Sequence, residues 1–592
     1  MVDPPPPARI GAEGSPDPLG LPEFLWLFAL LSASVFLILE PLIGFPVFGS
    51  DTGEYFRLSQ SVALTGHLPG GAYGGWGSAY PDFPGLFVLV ATISGATGAS
   101  VFSALTIAVP VITAFSVLPL FLLFRRLFPH DGVAILGAAI ATFAFPRIFS
   151  IAHPAPLAIG DFLVVAALWM FVEGRRDARW YLPLALTSGA LVVTHHLSSY
   201  FFVLGALGSL FLLELWRPGS WSRRFPTREL VFLGAFLGVL FADWALYAQS
   251  FLGVASGGSF DGGPRALLIL EPTAVAAVLV SGLLIRWRRG SRTHRLRVSF
   301  PSDRSFLRDF ALLLAAAFGG ALLLLLVPLP GTDQTTTATA VVFFAPTLAL
   351  ACFAAGTRRL VTASRIAPFA LAWLAAVGLS ALVAIATSNP TVSAGRHAEY
   401  LMIPFGLLAA ISLGRLVARA GDRSGRRAVV AGGVAVVLLL SANAAVAYPP
   451  PALFGGFQEG LTTGDAALWT WVGLGLPPAA VVASDHRLSS MIFGFDGNPA
   501  TWDSTPALFT GSNWSQAASE LRGSLAPHAP LPIDAVAVDG TMAQGVALDP
   551  SQLAVPMSPE AAAWLSGPPF VPIYENGPQV VYWVAGPIGP AG

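Results

Sequence analysis

The sequence predicts an α-helical polytopic membrane protein with about thirteen transmembrane helices and a small C-terminal extracytoplasmic α/β domain. Its 592 residues are 54% hydrophobic and 11% charged, and the mean hydropathy is +0.69, which excludes an ordinary soluble protein. Most of its apolar stretches are long enough to cross a hydrocarbon core of about 30 Å. The predicted spans are 23–47, 101–124, 131–146, 156–172, 181–196, 199–216, 229–249, 268–285, 309–328, 338–356, 366–387, 400–418 and 428–447.

The orientation follows from arginine, because the chain contains no lysine and its 32 arginines crowd into every second loop. The arginine-rich loops lie at 125–126, 175–179, 217–228, 286–308, 358–365 and 415–427. Positively charged loops stay in the cytoplasm, so we expect a multi-pass protein of the cell membrane with a cytoplasmic N-terminus and an extracytoplasmic C-terminal domain. Six arginines break the pattern and need another explanation: Arg57, Arg147, Arg265, Arg396, Arg487 and Arg522.

Three domains are expected. Residues 1–22 are rich in Pro and Gly and lack the basic region and cleavage site of a signal peptide, which predicts a disordered cytoplasmic tail. Residues 23–447 form the transmembrane domain, whose first outer loop, 48–100, is long. The apolar segment 84–97 in this loop is too short to span and is expected to lie in the outer leaflet.

Residues 448–592 form the predicted α/β domain. Alternating runs at 480–484, 533–538 and 579–584 are typical of strands, and Pro/Gly turns separate them from helices. The net charge of −1 gives no indication of a nucleic-acid partner. The only cysteine, Cys352, lies in a span, which excludes a disulfide within the chain and a cysteine-ligated metal site.

Acidic and histidine residues near the outer ends of the spans are candidates for function, because a charge in hydrocarbon is costly. Together they predict a polar cavity that opens at the outer headgroups. The bilayer midplane has no comparable set of acids, although a secondary transporter would bind its coupling ion there. The candidates are Glu40, Asp51, Glu54, His153, Asp161, His195, His196, Asp243 and Glu271.

Each candidate also has a purely structural alternative. Asp51 and Glu54 have the spacing of a capping box, which would begin a surface helix running to about Thr65. His195 and His196 are adjacent and about 100° apart on a helix, so they cannot easily face one ion and could serve as hydrogen-bonded structural residues. Asp161 or Asp243 could be satisfied by a Ser, Thr or Arg of a neighbouring span. Residues 484–487, Ser-Asp-His-Arg, could simply end a strand.

The layout resembles the GT-C superfamily of membrane glycosyltransferases, and within it the oligosaccharyltransferase catalytic subunit of archaea and bacteria. The shared features are a long first outer loop that opens with an acidic motif, many spans and an extracytoplasmic C-terminal domain. The resemblance implies transfer of sugar from a polyprenyl-phosphate or polyprenyl-diphosphate lipid, on the outer face, to an acceptor protein, lipid or polysaccharide. Membrane lipids are the other expected partners.

The resemblance also implies roles for particular residues. Gly49-Ser50-Asp51 matches the first acidic motif, whose aspartate binds a divalent metal (Mg or Mn) or acts as a base. The segment 146–161 occupies the place of the second acidic motif, but it has His153 and a late Asp161 instead of a tight acidic pair. Asp333 is the only acid where the family has a mobile outer loop.

Two further positions follow from the same comparison. Arg396 matches the arginine that precedes a late span and contacts the lipid phosphate. Residues 481–486 lie where oligosaccharyltransferases carry the acceptor-reading Trp-Trp-Asp-Tyr-Gly motif, and that run is absent here.

The chemistry of glycosyl transfer gives these residues a physical role. A carboxylate can take the acceptor's proton, and a cation can stabilise the departing phosphate. We expect Asp51, with Glu54 beside it, to be the base or metal ligand and Arg396 to bind the phosphate through its planar fork. Arg147 could share that binding or snorkel to a headgroup. Proton shuttling or metal ligation is open to the remaining residues: His153, Asp161, His195, His196, Asp333 and His397.

Two other function classes stay open at this point. A transporter or lipid flippase would be expected to show internal repeats and broken helices around a midplane site, and the two halves show no convincing repeat. A non-catalytic scaffold would tolerate replacement of Asp51 and Arg396 but not changes on the surface of its outer domain.

Overall fold

A computed structural model describes residues 19–249 apart from short gaps at 70–72, 78, 129 and 216–226, scattered helical positions between 312 and 382, and residues 394–448, 458–523, 532–548 and 554–586. The predicted spans at 268–285, 309–328 and 338–356 lie wholly or largely outside the described residues. Glu271 and Asp333 lie outside them too.

The described part of 19–448 is almost entirely helical, as its long apolar stretches predict. Five of its helical stretches are long and apolar enough to cross a membrane: Leu21–Gly44, Val101–Leu127, Pro156–Gly174, Thr227–Leu246 and Arg396–Gly414. The chain is therefore a polytopic membrane protein. Its helices are α1 Leu21–Leu39, α2 Pro41–Gly44, α3 Thr52–Thr65, α4 Gly85–Thr97, α5 Val101–Ser103, α6 Val109–Ala114, α7 Val117–Leu127, α8 Asp131–Phe143, α9 Arg147–Ala152, α10 Pro156–Gly174, α11 Tyr181–Val192, α12 His196–Leu215, α13 Thr227–Leu246, α14 Ala394–Ser424 and α15 Arg426–Ala445.

Helices α7, α8, α10 and α14 form the centre of this bundle. Small residues allow α8 and α14 to approach closely: a Cβ on Gly406 would lie 2.8 Å from the Cβ of Ala141 and from the carbonyl oxygen of Gly137. The outward faces of α1 and α15 carry exposed apolar side chains, among them Trp26 and Leu438. Such a surface suits contact with lipid tails.

Residues 458–586 contain a four-stranded sheet of order β3-β4-β6-β5, in which β3 and β4 are parallel and the other pairs antiparallel. The strands predicted at 480–484, 533–538 and 579–584 are confirmed as β3, β4 and β6. Strand β5 was not predicted, because it is a largely exposed edge strand interrupted by Pro572. The strands of the chain are β1 Val47–Phe48, β2 Gly460–Leu461, β3 Val482–Ala483, β4 Ala535–Val538, β5 Phe570–Asn576 and β6 Gln579–Val584; the helices that follow α15 are α16 Thr463–Gly475, α17 His486–Met491, α18 Pro506–Thr510, α19 Trp514–Arg522 and α20 Pro559–Leu565.

The segment that follows α2 is joined to this C-terminal α/β unit by backbone contacts. Strand β1 pairs antiparallel with β2, and the amide of Gly49 donates to the carbonyl of Glu459 at 3.0 Å. Helix α3 reaches α17 at Gly53, where a Cβ would overlap the carbonyl oxygen of Ser490. The start of α3 is therefore built against the C-terminal unit, over 400 residues away in sequence.

Replacing Gly53 with Ala should loosen this junction. Its Cβ would also lie 2.8 Å from the Cα of Met491, and overpacking of this kind costs about 1–3 kcal/mol. Gly95, inside α4 with nothing within 4 Å of its Cβ position, provides a matched control. Thermal unfolding in detergent should show a lower midpoint for Gly53→Ala and an unchanged or higher midpoint for Gly95→Ala. Equal midpoints for the two variants would contradict the close approach.

Candidate active site at the start of the first outer loop

Asp51 lies at the N-terminal end of α3, but its carboxylate does not cap the helix. Asp51 Oδ1 accepts a hydrogen bond from His486 Nε2 at 2.6 Å, and Oδ2 accepts bonds from the hydroxyls of Tyr55 and Tyr80, each at 3.3 Å. The capping-box interpretation is wrong for this reason, although α3 does end at Thr65 as expected. The Asp51 carboxylate instead faces outward from the helix end into a polar cluster.

Glu54 also has a role other than capping. Its buried carboxylate accepts from the hydroxyl of Tyr73 at 3.2 Å and from the amide of Gly77 at 3.2 Å. These bonds hold the loop that carries Trp76, whose ring meets the imidazole of His486 edge to face at 4.8 Å. Glu54 therefore supports one wall of the cluster around Asp51.

His486 is held by the C-terminal unit. Its backbone amide donates to the carbonyl of Ala547 at 2.6 Å, and Asp485 caps α17 through the amide of Leu488. The neighbouring Arg487 is fully buried and pairs with Asp485 and Asp539, each at 3.0 Å. The Ser-Asp-His-Arg run does follow a strand, as the structural alternative stated, and it also delivers His486 to Asp51.

Burial and pairing act in opposite directions on this pair. Burial raises the pKa of Asp51, but the hydrogen bond and charge of His486, together with the tyrosine hydroxyls, leave it below its ordinary value. Burial lowers the pKa of His486, but the hydrogen bond and charge of Asp51 and the charges of Glu54 and Asp485 leave it raised. Both shifts favour a carboxylate facing an imidazolium.

A second imidazole–carboxylate pair lies beside the first. His153 Nε2 is 3.6 Å from Glu459 Oε2, and the same Glu459 oxygen accepts from the amide of Ser50 at 2.8 Å. Burial lowers the pKa of His153, but the charge and hydrogen bond of Glu459 outweigh burial, so the pKa lies above its ordinary value. His153 therefore pairs with Glu459, which was not foreseen, close to the chain at Gly49.

Arg147 and Asp161 form a fully buried ion pair, and Arg147 also donates to Ser116 Oγ at 3.3 Å. The expectation that a neighbouring arginine satisfies Asp161 is confirmed. A snorkelling contact of Arg147 with a headgroup is wrong, because its side chain has no exposed surface. The pair leaves no surface of this guanidinium for an external phosphate.

The other histidine candidates, His195, His196 and His397, have polar or ring contacts with neighbouring side chains. His195 Nδ1 lies 2.8 Å from Ser198 Oγ, which in turn lies 2.8 Å from the hydroxyl of Tyr400. The ring of His196 packs against that of Phe83 at 5.1 Å. His397 Nε2 lies 2.7 Å from Ser380 Oγ. For His195 these contacts confirm the structural alternative.

Arg396 is exposed and begins the span Arg396–Gly414. Its positive charge acts on the hydroxyl of Tyr80, which belongs to the cluster around Asp51. Burial raises the pKa of Tyr80 well above its ordinary value, Asp51 and Glu54 raise it further, and Arg396 acts in the opposite direction. The guanidinium is thus within electrostatic range of the phenol that hydrogen-bonds Asp51.

The residues around Asp51 do not fit a Mg²⁺ or Mn²⁺ ion. Such ions need several free oxygen ligands. Asp51 offers one oxygen that is only weakly bonded, whereas Glu54 is held by Tyr73 and Gly77, and Asp161 and His153 are held by Arg147 and Glu459. Among the described residues no group of three or more His, Cys, Asp or Glu is arranged to hold a metal.

Comparisons with known proteins bear on the fold. No protein-family model and no curated protein sequence matches the chain. The oligosaccharyltransferase of Archaeoglobus fulgidus, crystallised with Zn and sulfate, superposes with a TM-score of 0.51 at 15% identity over 94% of this chain and 73% of that one. ArnT from Cupriavidus metallidurans bound to undecaprenyl phosphate gives a TM-score of 0.43 at 12% identity over 96% and 100% of the two chains. The similarity to the oligosaccharyltransferase shows a GT-C-like fold, which confirms the resemblance at the level of the fold.

Replacing Glu54 with Gln should make stability depend less on pH. Burial, followed by the charge of Asp51, raises the pKa of Glu54 from 4.5 to about 8. The folded protein therefore keeps a proton that the unfolded chain releases, so this contribution to stability is complete below pH 4.5 and is lost as the pH rises to about 8. Gln retains an acceptor oxygen for Tyr73 and Gly77 but does not titrate.

Unfolding midpoints in detergent at pH 5 and pH 8 provide the measurement. The midpoint of the wild type should fall more between these values than that of Glu54→Gln. Glu560→Gln changes an exposed glutamate of α20 and should follow the wild type. Parallel curves for wild type and Glu54→Gln would show that Glu54 is ionised in the folded protein.

Proposed function

We propose that this protein is a membrane glycosyltransferase that moves a sugar or oligosaccharide from a polyprenyl-phosphate or polyprenyl-diphosphate donor to an acceptor at the outer face of the membrane. The observation that supports the proposal is the cluster around Asp51, which accepts hydrogen bonds from His486, Tyr55 and Tyr80 and has the charge of Arg396 within electrostatic range of Tyr80, in a chain with a GT-C-like fold. The N-terminus would lie in the cytoplasm, with residues 1–22 as a tail, 23–447 as the membrane domain and 448–592 outside.

Asp51 is suited to receive the acceptor's proton. Its side chain is 23% exposed, so an acceptor can reach it, and its lowered pKa keeps it ionised. The bonds from Tyr55 and Tyr80 to Oδ2 are long, at 3.3 Å, and an acceptor O–H or N–H can displace them. Because Oδ1 is tied to His486, Oδ2 is the oxygen available for this step.

Arg396 is suited to stabilise the leaving group. In the proposed reaction the acceptor atom bonds to the anomeric carbon, the bond from that carbon to the phosphate oxygen breaks, and the phosphate leaves with the electron pair. Negative charge grows on the phosphate as the sugar becomes oxocarbenium-like, and a guanidinium binds two phosphate oxygens at once. The resemblance also implies Mg or Mn, but the residues do not fit such an ion, so no step passes through one.

The depth of the site suits a lipid donor. Arg396 stands at the first residue of a span, where a lipid phosphate lies at headgroup level while its polyprenyl chain stays in hydrocarbon. Helix α4 begins against the connection between α11 and α12, with the amide of Gly85 donating to Val193 at 2.8 Å. We propose that α4 forms one wall of the groove for the polyprenyl chain.

Asp51→Asn should reduce glycan transfer by about 100-fold or more, since a positioned base contributes roughly 10²–10⁴ in rate. The amide keeps the size of the side chain but cannot accept the acceptor's proton. The measurement is mass spectrometry of surface glycoproteins and glycolipids from cells that lack the gene and are complemented with each variant. Asp177→Asn, at an exposed position, is the control. Restoration of the glycan by Asp51→Asn at normal protein abundance would rule out the catalytic role.

Arg396→Gln should lower transfer by about 100-fold, because it removes the charge that stabilises the phosphate. Arg396→Lys should fall between this variant and the wild type, since an ammonium keeps the charge without the bidentate fork. Arg179→Gln, an exposed arginine on the predicted cytoplasmic side, should have no effect. The same glycan assay applies, and equal activity of Arg396→Gln and wild type would remove Arg396 from the proposed site.

A further inference from the structure

We propose that His486, supplied by the C-terminal α/β unit, is the positioning residue for Asp51, so that the catalytic carboxylate is correctly oriented only while this unit is docked on the first outer loop. This inference rests on the proposed role of Asp51 as the base. It assigns to the C-terminal unit a part in the chemical step itself.

The distances around Asp51 identify the bond that orients it. His486 donates at 2.6 Å, within the range of charge-assisted hydrogen bonds, whereas the two tyrosines donate at 3.3 Å. No other side chain in the described part of the site bonds Asp51 at a shorter distance than His486. The imidazole therefore fixes Oδ1 of Asp51. Oδ2 faces the two tyrosine hydroxyls, whose hydrogen bonds are longer.

The backbone around Asp51 does not fix the carboxylate by itself. Gly49 has φ of +112°, and Asp51 has φ and ψ of −91° and 2°, so the chain turns sharply just before α3 begins. The turn is held by Glu459, which accepts from the amide of Gly49 through its carbonyl and from that of Ser50 through its carboxylate. These contacts place the Asp51 backbone, and His486 then sets the direction of its side chain.

His486 can perform this task because it is itself rigid. Its side chain is 1% exposed and packs against the ring of Trp76. Its backbone is bonded to Ala547, and the buried Asp485–Arg487–Asp539 network surrounds its sequence neighbours. An imidazole held at both its backbone and its ring gives a defined direction to the carboxylate it bonds.

The substitution series separates orientation from other roles. His486→Ala removes the donor, whereas His486→Gln places an amide NH₂ near the position of Nε2 and can still donate to Asp51. His67→Ala is the control, because it changes an exposed histidine in the loop 48–100, which also carries Asp51. All variants are made in the full-length chain, and only those with wild-type abundance and detergent unfolding midpoints are compared.

The assay is the initial rate of glycan formation in isolated membranes that contain the endogenous lipid-linked donor, followed by mass spectrometry. His486→Ala should lose about 10- to 100-fold, as is usual when a residue that orients a functional group is lost. His486→Gln should recover most of this loss, and His67→Ala should match the wild type. Added imidazole should restore His486→Ala, by occupying the vacated space and donating to Asp51, but not Asp51→Asn.

Two results would overturn the inference. One is wild-type activity of His486→Ala, and the other is a His486→Gln variant that is folded but as inactive as His486→Ala, since the hydrogen bond alone would then be insufficient. Full activity of Asp51→Asn would instead remove the proposed function. If Asp51→Asn loses activity while His486→Ala keeps wild-type activity, only the role of His486 is removed.

Discussion

The docking of the C-terminal unit on residues 47–54 is the constraint on which the candidate site depends. At this junction Gly53 of α3 lies against the backbone near Gly494. A Cβ on Gly53 would overlap the carbonyl oxygen of Ser490, and a Cβ on Gly494 would overlap the carbonyl oxygen of Gly53. Backbones approach this closely only where side chains are absent. Pairing of β1 with β2 and the two bonds to Glu459 complete the junction. The helix that begins next to Asp51 therefore acquires its position from the other end of the chain.

Contacts within the protein account for three of the arginines that depart from the positive-inside pattern. Arg147 pairs with Asp161 inside the membrane domain, and Arg487 pairs with Asp485 and Asp539 inside the C-terminal unit. Arg57 donates to the carbonyl of Phe493 and lies over its ring. A buried pair is costly to desolvate, and removal of one partner leaves an uncompensated charge. These three arginines are held by contacts within the protein, whereas Arg396 is exposed.

Local patterns in the sequence were sufficient for the long helices among the described residues and for three strands of the sheet, because apolar length marks a span and alternation marks a strand with one buried face. These patterns did not predict β5, because it contains Pro572 and its mostly exposed side chains do not alternate between apolar and polar. The Asp-x-x-Glu spacing at Asp51 suits both a cap and a cluster of ligands, and only tertiary contacts distinguish the two. The bond from His486 to Asp51 joins positions 435 apart, and neither residue carries a local signal of the other. Of the residues proposed for the site, Asp51 and Arg396 were singled out by their charge and position in the sequence and given roles by the family resemblance, whereas the contacts of His486 and Glu459 required the structure.

The arrangement also explains how an anionic base and an anionic leaving group could work in one cavity. Burial keeps the pKa values of Tyr55 and Tyr80 well above their ordinary range, so both phenols remain neutral hydrogen-bond donors to Asp51, and the charge of Arg396 acts on Tyr80. On the opposite side, His486 balances the charge of Asp51 within hydrogen-bonding distance. Because Asp51 is compensated by His486, the positive charge of Arg396 is not consumed by it. Under the proposed function that charge is left for the phosphate, and the sugar would transfer between a carboxylate and a guanidinium that do not neutralise each other.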